Sequence, residues 1–251
     1  MRGFKEPNKN KKFKVEENNL TLYNQAVNLQ KKGELDKAAQ IYHQLIKNKY
    51  LNENIFLNYA SICQHQKKLR DATLLLKESI RINPNNFIPF FKMGFILNNL
   101  GNFYEAYPFA KKAIELNPNL WEGYHNLIKI LRNLKRPSEA IIYAEKARDL
   151  FLNNHLFTGL LGDIYSDTGD YEKAVIYYKK AISKAPEDDE ALYSYANFLI
   201  GTGKRKEGIE YLNKVLKVNP YHAISYYSLS TIIDIEKEIE IKEKILNIEV
   251  Q

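Results

Sequence analysis

Apolar and polar residues follow a helical beat along most of this chain. In LTLYNQAVNLQKK, residues 20–32, Leu22, Ala26 and Leu29 fall at i, i+4 and i+7, on one face of a helix. Gly33 follows, and glycine takes the left-handed position after a helix cheaply. A second helical stretch, DKAAQIYHQLIKN, turns Ala38, Ile41, Tyr42 and Leu45 inward. The same two-helix pattern then recurs every 34 residues, with Pro84, Pro118, Pro186 and Pro220 closing four of the frames. Proline ends a helix because it lacks the backbone N–H and disfavours helix at the residue before it.

In frames of 34 starting at residue 19, the eighth position is Ala26, Ala60, Gly94, Ile128, Gly162 and Ala196. The twentieth is Ala38, Ala72, Ala106, Ala140, Ala174 and Gly208. Small side chains at both places let two helices approach closely. The fifteenth is Gly33, Gly101, Gly169 and Gly203, with Lys67 and Lys135 in the other two frames. A period of this length predicts a stacked solenoid, each unit covering the bare apolar side of its neighbour. The expected fold is all-α, a right-handed α-solenoid of antiparallel helix pairs. Six units occupy 19–52, 53–86, 87–120, 121–154, 155–188 and 189–222. Residues 1–18, Lys/Asn-rich and broken by Pro7, read as a disordered basic arm. Residues 223–251 start like a seventh unit, with Tyr226, Leu229 and Ile233 in register. They then become charged, as a capping helix requires. Pro108 falls inside a second helix and is expected to kink it, whereas Pro137 falls at a tolerated helix start.

Charge changes the picture little. The formal net charge is +7, and 30 of the 37 basic residues are lysine. Specific phosphate recognition leans on the arginine fork, so this balance argues against nucleic acid. A single cysteine, Cys63, excludes an intrachain disulfide and fits a reducing compartment. No apolar run reaches the roughly 18 residues of a membrane span, and the opening residues lack a secretory apolar stretch. A soluble cytoplasmic chain is the expectation.

Catalytic chemistry is not legible. The glycines sit at repeat turns rather than in a phosphate loop, and no cofactor loop is read. His43, His65, His125, His155 and His222 lie in different frames without metal-ligand spacing. Cys63 occupies a core position, and the acidic run Glu187–Glu190 falls on an inter-repeat loop.

The register of small residues, glycine turns and terminal prolines resembles the tetratricopeptide-repeat family over residues 19–222. That resemblance implies a protein or peptide ligand on a concave groove lined by the first helices. It assigns the groove to Tyr23, Asn24, Asn58, Phe91, Lys92, Phe95, Asn126, Lys129, Arg132, Tyr193 and Asn197, with Asp163 and Asp167 at equivalent positions. Asn24, Asn58 and Asn126 share one repeat position, which is similar to the asparagine ladder of repeat arrays attached to O-linked sugar transferases. Such amides grip an extended peptide backbone through donor and acceptor together. Phe91 and Phe95 form an apolar anchor, and Lys129 with Arg132 suits a carboxylate or phosphate. The lysine of the chaperone-binding clamp is absent.

Two functions follow from the resemblance. One is a non-catalytic scaffold for a peptide or protein. The other is the substrate-recruiting half of a split or truncated sulfotransferase- or glycosyltransferase-type enzyme. The stretch HAISYYSLSTIIDIEKE and the opening MRGFKEPNKNKK resemble bacterial, picocyanobacterial repeat–sulfotransferase chains. Nucleic-acid binding through the basic arm stands third.

Overall fold

The computed structural model describes residues 9–152 and 154–232, with side chains from residue 16. Among them it has thirteen helices and no strand. Two compact units are distinguished, residues 1–130 and 131–251.

In the first unit, α1 (Lys9–Lys31) packs on α2 (Leu35–Lys47), α3 (Glu53–His65) on α4 (Leu69–Ile82), and α5 (Phe87–Asn99) on α6 (Phe103–Leu116). α2 and α4 pass each layer on to α3 and α5. α7 (Trp121–Asn133) spans the boundary between the units. In the second unit, α8 (Pro137–Leu150) packs on α9 (Leu156–Asp167), and α9 on both α10 (Tyr171–Lys184) and α11 (Asp189–Gly201). α11 pairs with α12 (Arg205–Val218). A thirteenth helix opens at residue 223 and is described to residue 232. The architecture is an all-α solenoid of antiparallel helix pairs.

The small positions explain the pairing. Ala26, Ala38, Ala60, Ala72, Ala106, Ala140, Ala174 and Ala196 are all buried. A Cβ built on Gly94 would lie 3.0 Å from the Ala110 backbone nitrogen, so α5 and α6 approach backbone to backbone. Gly162 instead makes room for a ring: its Cβ would meet Tyr178 at 2.8 Å. The turns follow one conformation. Gly33, Gly101, Gly169 and Gly203 have φ near +80°, and Lys67 and Lys135 adopt φ of +60° and +57° in the frames that lack glycine.

The disordered arm read for 1–18 does not hold over its second half. Lys9–Asn18 continue α1 as one helix. No glycine or proline follows Pro7 there, so lysine, glutamate and phenylalanine extend a helix already nucleated by the first repeat. Asn19 is buried, and its Oδ1 accepts from Asn48 Nδ2 at 3.3 Å. α6 runs through Pro108 from Phe103 to Leu116, with the proline on its exposed face. Pro137 opens α8, as expected. Most of the capping segment, from residue 233, and residues 1–8 lie outside the described residues. Those segments also hold the end of the sulfotransferase-like stretch and most of the opening motif.

Candidate functional site

The second unit contains a cavity of about 360 Å³ built mainly from first-helix side chains, with Tyr171 and Tyr178 of α10. Its floor is an ion-pair network. Asp163 and Asp167 stand one turn apart on α9, so a single guanidinium reaches both. Arg132, from the last turn of α7, donates from Nε to Asp167 Oδ2 at 2.7 Å and from Nη1 to Asp163 Oδ2 at 2.8 Å. Tyr178, from α10, donates its hydroxyl to the other Asp163 oxygen at 2.8 Å.

Burial pushes the Asp163 carboxyl above its ordinary value, against the pull of Arg132 and the Tyr178 hydroxyl. Burial also works against the Arg132 charge, but the Asp167 hydrogen bond and both carboxylates outweigh it and raise the guanidinium further. The Tyr178 hydroxyl is pushed up by burial and by Asp163. The network therefore keeps Arg132 charged and Tyr178 protonated.

Tyr193, Ser194 and Asn197 of α11 form the opposite wall, and Tyr171 closes one side. Tyr171 is 53% exposed and meets Phe198 edge-on at 5.8 Å. Tyr193 packs its ring against His222 at 5.1 Å.

Of the residues assigned from sequence, Arg132, Tyr193 and Asn197 meet at this cavity. Arg132 is not the open anion receptor read beside Lys129, because two of its nitrogens are already held by carboxylates. Tyr178 is not among the residues assigned from sequence. Its signal was a tyrosine on α10 in the same repeat as Gly162, whose missing side chain admits the ring.

The first unit holds the other assigned residues. Phe91 and Phe95 lie one turn apart with ring centroids at 6.3 Å, Phe95 exposed and Phe91 half-buried. Lys92, next to Phe91 in sequence, is half-buried, and burial lowers its pKa. Tyr23 tilts against Tyr42 at 6.3 Å, and Asn24 is exposed. Asn58 Nδ2 donates to the Tyr42 hydroxyl at 3.3 Å. That hydroxyl donates to Gln30 at 3.0 Å and is pushed up to about 12, chiefly by burial. Asn126 is buried. Its Oδ1 accepts from Asn98 at 3.1 Å, and its Nδ2 has no partner among the described residues. Two of the three ladder asparagines are thus engaged inside the unit. Lys129 is exposed and adds to burial in lowering His125 to about 4, while Trp121 packs on that imidazole at 6.5 Å.

Among the described residues no group of His, Cys, Asp and Glu is placed to hold a metal. Cys63 is buried, and burial raises its thiol. No described helix is long and apolar enough to cross a membrane.

Tetratricopeptide-repeat family models match residues 20–50, 90–120, 125–189 and 165–231, together more than half of the chain. The chain belongs to the tetratricopeptide-repeat family. The TPR repeat-containing protein MJ1428 of Methanocaldococcus jannaschii is 27% identical over 191 residues, 76% of this tetratricopeptide-repeat chain. The matched region is only 28% of that relative's own length. Among solved structures, a tetratricopeptide repeat protein from Parabacteroides merdae superposes with a TM-score of 0.81 at 17% identity, over 88% of each chain. YrrB, described as a TPR protein with an unusual peptide-binding site, gives 0.55 at 17% identity over 76% of this chain and 99% of its own. At these identities the structural likenesses establish the tetratricopeptide-repeat fold.

Proposed function

We propose that this chain is a non-catalytic interaction scaffold that holds a peptide or an extended protein segment against its first helices. The observation that carries this reading is the cavity of the second unit. Side chains of α7, α9 and α11, three first helices in succession, line one space there. The exposed Phe95 with its neighbour Phe91 offers an apolar anchor on the corresponding helix face of the first unit. The peptide-binding description of YrrB supports the same use of this fold. The finer groove assignments, Tyr23, Asn24, Phe91, Lys92, Phe95, Lys129, Tyr193 and Asn197, belong to this proposal.

The test is an array of short acetylated peptides probed with the full chain. Binding is expected, and Phe95→Ala or Tyr193→Ala should weaken it by about tenfold or more. Ile142→Asp and Ile176→Asp, on exposed positions of α8 and α10, should leave it unchanged. Peptides that never bind, or that lose binding only in the second-helix variants, would overturn the scaffold reading.

A further inference from the structure

The cavity of the second unit holds a carboxylate that its own arginine does not exhaust. Asp163 has both oxygens engaged, one by Arg132 and one by Tyr178. Asp167 gives one oxygen to Arg132. Its side chain is 42% exposed, and no hydrogen bond to its second oxygen is formed among the described residues. Two acidic side chains thus occupy the one guanidinium, and the second Asp167 oxygen is left open at the cavity floor.

The walls add further acceptors. The Ser166 and Ser194 hydroxyls and the Asn197 amide line the space and make no hydrogen bond among the described residues, so their oxygens are open acceptors. Tyr171 offers an exposed ring beside them.

We propose that this cavity receives a cationic side chain, arginine or lysine, from the bound peptide. The inference rests on the scaffold reading and adds the chemistry of one ligand residue. An arginine brings five N–H donors and a lysine three, enough to serve Asp167, the serines and Asn197 together. Either cation also gains from the face of an adjoining tyrosine ring. An anionic side chain meets Asp167 and Asp163 at close range while the Arg132 charge is already matched. An apolar side chain leaves the polar walls without partners. The volume, about 360 Å³, accommodates a long side chain inserted end-on.

The decisive experiment uses the full chain and the same acetylated peptides. Each is remade with arginine, lysine, citrulline or glutamate at every position in turn. Citrulline keeps the shape of arginine without its charge. Peptides with one fixed arginine or lysine should bind about tenfold or more tighter than their citrulline forms. Asp167→Asn should erase that margin. Asn197→Ala, on an exposed residue that holds no part of the Arg132 network, should weaken the cationic peptides in a protein whose melting is unchanged. Phe95→Ala should lower binding while preserving the arginine-over-citrulline margin. Peptides that bind with no cationic preference, or a preference that survives Asp167→Asn, would overturn this proposal and leave the scaffold reading intact. Failure of every peptide to bind would remove both.

Discussion

Tyr178 donates its hydroxyl to Asp163 across the seam between α10 and α9, at 2.8 Å, through the gap that Gly162 leaves. A second-helix side chain thereby finishes a carboxylate that belongs to the first-helix face. Tyr178→Phe removes the donor from a carboxylate whose side chain is only 19% exposed. The expected loss is about 1–3 kcal/mol of stability, read by thermal or urea unfolding. Tyr171→Phe, on an exposed ring with no hydrogen bond of its own, should change stability by about 0.5 kcal/mol or less.

Two glycines three residues apart on α9 should respond in opposite directions. A Cβ on Gly159 would meet only Ala181 at 3.8 Å, an ordinary contact. Gly159→Ala should stabilise by up to about 1 kcal/mol through helix propensity. A Cβ on Gly162 would strike three atoms of the Tyr178 ring at 2.8–3.0 Å and displace its hydroxyl from Asp163. Gly162→Ala should destabilise by about 1–3 kcal/mol despite the better propensity. Equal effects at the two sites would show that the ring moves freely.

Lys67 and Lys135 stand where four other repeats place glycine, and both adopt a left-handed backbone. A side chain in that conformation costs about 1–2 kcal/mol, part of which glycine returns as extra freedom of the unfolded chain. Lys67→Gly should therefore stabilise by about 0.5–1 kcal/mol, measured as a raised melting temperature. A lowered one would mean that the lysine stem makes a compensating contact.

His125 sets an acid limit. Burial, aided by Lys129, holds it down to about 4 in the fold, against about 6.5 when unfolded. Between those values the unfolded chain binds the extra proton, so its contribution to stability is complete above about pH 6.5 and lost as the pH falls towards 4. The span corresponds to about 3 kcal/mol. His125→Gln should flatten the fall of melting temperature between pH 7 and pH 4.5. A slope identical to that of the parent would locate the acid sensitivity elsewhere.

The solenoid was legible because its determinants are local and periodic. Ala38, Ala72, Ala106, Ala140 and Ala174 mark the helix seams by size alone, and Gly33, Gly101, Gly169 and Gly203 mark the turns by backbone freedom. The extension of α1 to Lys9 was not, since composition pointed to solvent while nothing in the segment broke a helix already begun. The face of each first helix was legible through the family register, which put Arg132, Asp163 and Asp167 on one surface. Their mutual pairing was not, because it joins residues 31 and 35 positions apart in the chain. The asparagine row shows the same limit. Spacing aligned Asn58 and Asn126, but only packing reveals that Tyr42 and Asn98 engage them.

Arg132 and the two aspartates give the second unit a floor that is also a fastener. The Asp167 carboxylate that would greet a ligand with one oxygen fastens the last turn of α7 to α9 with the other. A guest that draws Asp167 towards itself must loosen that clasp, and one that leaves it in place inherits a surface already stiffened. Recognition and rigidity here share one carboxylate, so at Asp167 grip on a ligand and the tightness of the helix stack cannot be tuned apart.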